Sequence, residues 1–220
     1  MSRLEKLQAA NPQLKIYSVL DDEFRPYGRV VDIDTDEFCR LVLENVELPE
    51  EGTKYVTDID CLDKSEKAQE YNELLCGQME EEWGLCWGHN DAMNGLEWHT
   101  CNEFNIGVTD LVLFLAKRGE MDKNNRLNAD KVKAFYLPKG VMIEAFSDSM
   151  HLAPCQVDKN GFFCVVGLQR GTNFKPDPAK KMDPILRGTN KWLIVHDPTG
   201  TMERDCIYGT NWKLNPIEAE

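Results

Sequence analysis

Glu97, His99 and Glu103 lie at spacings of two and four in the segment Leu96-Glu97-Trp98-His99-Thr100-Cys101-Asn102-Glu103-Phe104. On an extended strand, even spacing turns side chains to one face. Two carboxylates and an imidazole would then project together, with Leu96 and Trp98 on the other side. Buried without partners, such a set repels itself and loses hydration. A divalent cation relieves both problems, and mixed oxygen and imidazole donors suit Mn, Fe, Ni or Zn better than Mg or Ca. The competing reading is a solvated polar face with no ion.

The chain has four histidines, so their placement is informative. His151, in Met150-His151-Leu152-Ala153-Pro154, is the second candidate ligand; it could equally be a hydrogen-bonded core residue. His89 precedes the turn into the Glu97 strand, where it could act on a substrate or support Asn90. His196 ends a strand and reads as structural. Glu144 sits in the apolar run Val141-Met142-Ile143-Glu144-Ala145-Phe146, where a carboxylate needs a metal, an arginine or a substrate hydroxyl, unless it faces solvent. Glu144 and His89 are therefore the expected catalytic groups. Asn90 and Asn102 are the expected substrate contacts, and Glu97, His99, Glu103 and His151 the expected metal ligands.

These residues need a β-rich scaffold. Short strand-like runs punctuated by turn signals predict strands at 83–89, 95–105, 110–116, 132–137, 141–146, 150–157, 161–168 and 191–196. Many short strands separated by turns indicate a sandwich or barrel. Before them, residues 1–10 read as a helix, Lys15 to Leu20 as an edge strand and Tyr55 to Ile59 as a short strand. A helix is expected from Asp34, the N-cap, through Leu43, with Glu37 completing a capping box. Lys64 to Leu75 is a second helix candidate. Gln169 to Arg187 reads as a long loop. Gly-Thr-Asn recurs at 171–173, 188–190 and 209–211 at unequal intervals, which reads as three similar turns rather than a repeat architecture.

The spacing Glu97-x-His99-x-x-x-Glu103 resembles the first motif of the cupin superfamily, with Glu in place of its first His. Pro138-Lys139-Gly140 resembles the turn opening the second cupin motif, although the histidine expected three residues later is Ile143, with Glu144 beside it. Asp22-Glu23-Phe24-Arg25-Pro26-Tyr27-Gly28-Arg29, the Gly140-Val141 and Met150-to-Pro154 segments, and Gly161-to-Val166 are together similar to the ureidoglycolate-lyase-like cupins. The whole chain most resembles an uncharacterised cupin-like family of bacterial sugar utilisation. The resemblance implies a mostly β, cupin-type double-stranded β-helix (a jelly-roll barrel) with an N-terminal α/β extension. The expected division is 1–80 for the extension, 81–200 for the barrel and 201–220 for a C-terminal arm.

Composition narrows the function classes. The net charge of −13 argues against nucleic acid as a partner, because phosphate binding needs clustered Lys and Arg. No stretch is apolar over the length of a transmembrane helix. The N-terminus carries no apolar signal core. Eight cysteines without a Cys-x-x-Cys pair read as reduced thiols in a cytoplasmic protein. The function expected is a metal-dependent enzyme on a small sugar, sugar phosphate or sugar acid, an isomerase or epimerase. The metal would polarise a carbonyl or hydroxyl and stabilise an enediolate-like anion. The alternatives are a ureidoglycolate-type lyase and a non-catalytic sugar-binding protein. Expected partners are a small-molecule substrate and a second copy of the chain in a homodimer.

Overall fold

A computed structural model describes residues 1–177, 179–180 and 183–219. The first strands are β1 (Ile16–Ser18), β2 (Gly28–Val31), β3 (Thr53–Val56), β4 (Glu81–Gly88), β5 (Gly95–Trp98) and β6 (Glu103–Gly107). They are followed by β7 (Leu111–Lys117), β8 (Arg126–Asn128), β9 (Lys133–Leu137), β10 (Met142–Ala145), β11 (Ser149–Met150) and β12 (Cys155–Gln156). The last are β13 (Phe162–Gln169), β14 (Leu186–Gly188), β15 (Lys191–His196) and β16 (Cys206–Tyr208). Four α-helices precede β4: α1 (Arg3–Ala10), α2 (Asp36–Asn45), α3 (Asp60–Asp63) and α4 (Glu66–Leu75).

Among the described residues the strands form three sheets. One has the order β2-β10-β6-β13-β4-β3, a second β1-β9-β7-β11 with β12 also on β7, and a third β14-β15-β16-β8 with β5 on β15. The first two face each other across an apolar interior, supplied from one side by Cys86, Ile143, Cys164 and Val166 and from the other by Leu111, Leu113, Leu115 and Phe135. These facing sheets form a jelly-roll arrangement, and the chain is mostly β.

Strand alternation covers both outer faces. On the six-stranded sheet, Trp83, Leu85, Trp87, Phe104, Ile106 and Met142 face the helices, against Phe38, Val42, Leu62 and Tyr71. Trp83 is the hub. Its ring lies 5.3 Å from Phe38, 5.3 Å from Tyr71 and 6.0 Å from Phe104. Such pairs contribute about 0.5–1.5 kcal/mol each beyond the area they bury. Gly167 makes room for the indole, since a Cβ there would lie 2.5 Å from the ring. Behind the second sheet, Val112, Phe114, Ala134 and Tyr136 pack on Leu96, Trp98, Ile194 and Ile207 of the third, and on Leu7 of α1.

Three expectations about elements change. The strand expected over 95–105 is two strands, because the chain bends between His99 and Asn102. β5 joins the third sheet through Glu97 opposite Leu193, while β6 joins the six-stranded sheet between β10 and β13. The strand expected over 150–157 is likewise split into β11 and β12, with His151 bridging to Glu97 between them. Helix α2 is capped at Thr35 rather than Asp34, and Asp34 Oδ1 instead accepts the amide of Asp36 at 3.0 Å. The long connection after β13 includes 178, 181 and 182, which lie outside the described residues.

Candidate metal centre

Glu97 and His99 reach the site from the end of β5, Glu103 from the start of β6 and His151 from the crossing after β11. The backbone ties two of them directly: Glu97 N–H donates to His151 O at 2.5 Å, and His151 N–H donates to Glu97 O at 2.9 Å. All four side chains are deeply buried, between 2% and 8% exposed. Polar groups so withdrawn from water need partners.

The imidazoles are held from behind. His99 Nδ1–H donates to Asn190 O at 2.9 Å, and His151 Nδ1–H donates to Ser149 O at 2.9 Å. These bonds set the tautomer that leaves Nε2 of each ring facing inward. A second-layer carbonyl doing this is the usual support of a metal-ligating histidine. His99 Nε2 has no hydrogen-bond partner among the described residues, although it is buried. It lies 3.8 Å from Glu97 Oε1 and 3.4 Å from Glu103 Oε2. His151 Nε2 lies 3.0 Å from Glu103 Oε2. One carboxylate oxygen of Glu97 and one nitrogen each of His99 and His151 fall within 4.8 Å of one another. That donor set fits a divalent transition metal and leaves an otherwise orphaned nitrogen satisfied.

Electrostatics inside the cluster are dominated by burial and by the imidazoles. Burial alone would raise the Glu103 carboxyl, but His151 and His99 outweigh it and hold Glu103 well below the usual carboxylate range. Burial would lower His151, yet the Glu103 charge and hydrogen bond lift it to about 9. Without an ion, a proton on His151 therefore supplies the positive charge. Asn105 Nδ2 donates to Glu103 Oε1 at 2.8 Å and fixes that carboxylate from the other side. Lys191 Nζ stands 2.6 Å from Glu97 Oε2, too oblique to form a good hydrogen bond.

The cluster opens into a cavity of about 140 Å³ lined by Tyr55, Asn105, Leu113, Val166, Asn173 and Lys191, among others. Cys86 and Cys164, opposite each other on β4 and β13, also line it. Burial pushes both thiols up, Cys86 to about 12, so they act as small apolar lining. All eight cysteines are free.

The other expected site residues lie elsewhere. Glu144 is opposite Phe104 on β10, so it shares the outward face of the sheet while Ala145 lies beside Glu103. Its carboxylate pairs with Arg29 Nε at 2.5 Å and accepts from Asn102 Nδ2 at 2.6 Å. The expectation that Glu144 acts in catalysis is corrected by strand parity, and Asn102 is spent on the same outward pair. His89 Nδ1 is 3.1 Å from Gln156 Oε1, and Asn90 Nδ2 donates to the carbonyls of Ala92, Ala153 and Pro154. Both hold the β4–β5 connection, and neither lines the cavity.

Sequence reasoning gave Tyr55, Asn173 and Asn190 no role in the site. The signal was the recurring Gly-Thr-Asn. Its first two copies lie against each other, with Asn173 N–H donating to Thr189 O at 2.8 Å and Asn190 Nδ2 to Thr172 Oγ1 at 3.3 Å. Asn173 and Asn190 both adopt positive φ, which asparagine tolerates better than other side-chain-bearing residues. Asn190 carries the carbonyl behind His99, and Asn173 donates to the Tyr55 hydroxyl at 2.9 Å.

Fold and site together define a jelly-roll arrangement with a buried glutamate–histidine–histidine cluster. The chain belongs to the family described as a domain of unknown function, DUF4867, whose model matches residues 16–213. No curated protein matches its sequence. Among solved structures it is similar to the non-heme alpha-ketoglutarate-dependent epimerase SnoN from nogalamycin biosynthesis, at 15% identity and TM-score 0.38, over 84% of this chain and 93% of that one. It is also similar to a mutant of Bacillus subtilis oxalate decarboxylase, at 10% identity and TM-score 0.32, over 58% of this chain and 28% of that one. Hazelnut (Corylus avellana) vicilin matches at 10% identity and TM-score 0.33, over 74% of this chain and 38% of that one. At these scores the likenesses bear on neither mechanism nor substrate.

Proposed function

We propose that the protein is a metal-dependent cupin enzyme acting on a small sugar, sugar phosphate or sugar acid, as an isomerase or epimerase. The observation that carries the metal is the unpartnered, buried His99 Nε2 facing Glu97 and Glu103 beside the inward Nε2 of His151. Glu97, His99 and His151 would hold the ion. Bound there, a Mn, Fe, Ni or Zn ion supplies Lewis-acid polarisation of a substrate oxygen. The chain's own residues do the rest. The ionised Glu103 carboxylate places Oε2 within reach of both imidazole Nε2 atoms and would steady positive charge there. Tyr55 keeps its proton, because burial and then the Glu103 charge push its phenol upward, so its O–H can be donated to a substrate oxygen. Leu113, Val166 and Leu152 exclude water from the cavity. A lyase of the ureidoglycolate type would use the same groups, with the proton delivered to a leaving nitrogen or oxygen.

A second reading has its own observation. Two imidazoles with one carboxylate are also the donor set of non-haem iron oxygenases. Metal analysis of the purified protein, then an aerobic and anaerobic panel of sugars, sugar phosphates and sugar acids, tests both. Solvent deuterium entering a substrate without oxygen supports isomerisation. Turnover that needs oxygen and iron supports the second reading. Protein that takes up none of the four metals ends both.

A further inference from the structure

We propose that the cavity takes a short polyhydroxy carboxylate, with its acid group on Lys191 and its hydroxyls on the amide oxygens of Asn105 and Asn173 and the hydroxyl of Tyr55. This deepens the function proposed above and rests on it for where the ligand's reacting end lies.

The argument begins with unused hydrogen-bonding capacity. Asn105 is 2% exposed, and its Nδ2 is committed to the Glu103 carboxylate, which can only accept. That fixes the amide orientation and leaves Asn105 Oδ1 buried with no partner. Asn173 Oδ1 is buried and unpartnered as well, while its Nδ2 donates to the Tyr55 oxygen. The Tyr55 O–H, which accepts that bond, still has its own proton to give. All three residues line the one cavity. An orphaned buried acceptor is costly, and a ligand hydroxyl is the group that would relieve it. Two orphaned acceptors and one free donor describe a ligand that carries several hydroxyls.

Charge supplies the second half. Lys191 Nζ has three donors and spends one direction on Glu97. Lys191 and Asn173 line both the cavity and the groove adjoining it, where Arg187 joins them. Cations gathered at one opening of a chain with net charge −13 favour an anion at that spot. The volume of about 140 Å³ restricts the ligand to a few carbons. A neutral polyol would leave the remaining Lys191 donors without an anion, and a hydroxyl-free acid would leave the amide oxygens orphaned.

Calorimetric titration of the full-length, Mn(II)-loaded protein with D-glycerate, D-erythronate, propionate, glycerol and inorganic phosphate tests this. Glycerate or erythronate should bind at least about tenfold tighter than propionate and than glycerol. Asn105→Leu should shrink the glycerate-to-propionate ratio, and Lys191→Met the erythronate-to-glycerol ratio. Propionate or glycerol binding as tightly as the hydroxy acids overturns the proposal, as does phosphate binding more tightly than every carboxylate. The wild-type ranking decides the matter even if a variant fails to fold. Metal content of each sample separates the two readings. Full metal with no such ranking removes the ligand class alone. Absent metal with the ranking intact in metal-free protein removes only the metal.

Discussion

Two pairs of buried carboxylates meet burial in opposite ways. Glu97 and Glu103 keep company with two imidazoles and an ammonium, and Glu103 is held ionised against the pull of desolvation. Glu81 and Glu82, at the start of β4, are equally withdrawn from solvent, and the Arg170 charge offsets that burial only in part. Glu81 Oε2 and Glu82 Oε1 make no hydrogen bond, and burial pushes both carboxyls up to about 7. Depth alone raises a carboxyl, and close pairing with cationic groups, as at Glu103, reverses the sign. Glu103 is organised to hold charge, and Glu81 and Glu82 to hold protons.

The sharpest way to break this contrast is His99→Ala. It removes a ligand nitrogen while leaving both strands intact. Metal affinity should fall on the order of 100-fold or more, with a retained β-rich circular dichroism spectrum. Equal metal content in variant and wild type would end the assignment. Next comes Glu103→Gln in metal-free protein. With the carboxylate gone, burial is the main influence left on His151. Its imidazole should then titrate more than about two units lower than the wild-type value near 9. Proton-detected NMR of the ring reads this, and an unchanged titration would mean that Glu103 is not the cause.

The other pair gives a stability prediction. Glu81 and Glu82 titrate near 7 in the folded protein, against an ordinary value of 4.5. Between those values the folded protein keeps protons that the unfolded chain has lost. Stability therefore falls as pH rises through that window. Glu81→Gln with Glu82→Gln should flatten the fall and stabilise the protein at pH 8, by on the order of 1 kcal/mol per carboxyl after solvent screening. Urea denaturation at pH 5 and pH 8 measures it; a double variant with the wild-type pH slope contradicts it. The smallest effect is at Glu144. Its partner Arg29 is largely exposed, so Glu144→Gln should change stability by about 0–1 kcal/mol and leave metal content alone. A loss of bound metal there would restore it to the site.

The sequence made the sheets legible because its strands are short apolar runs bounded by turn residues. β4, β7, β9, β10, β13 and β15 each begin and end close to the expected positions. Glu97, His99, Glu103 and His151 converge, but not for the reason that spacing suggested. An unbroken strand would put the first three on one face. The bend at His99–Asn102 instead sends Glu97 and Glu103 to different sheets, and the two meet again across the cavity. The apolar run around Glu144 misled, because it is covered on both faces, one by the interior and one by helices, with Arg29 admitted at the rim. Tyr55, Asn105, Asn173 and Lys191 gather from four separate segments. No local pattern records such a meeting, since it depends on the pairing of β3 with β4 and of β5 with β15.

That last pairing has a consequence for when the protein becomes itself. The carbonyl that orients His99 belongs to Asn190, 91 residues later in the chain. β5 has no ladder until β15 arrives to pair with it. Closing so long a loop is entropically expensive, and contacts of this range form slowly. During synthesis the six-stranded sheet can be complete through β13 while His99 still has nothing behind it. The ligand set is thus a late product of folding, since Glu97, His99 and His151 all precede Asn190 and β15 in the chain, and His99 is oriented only when these arrive.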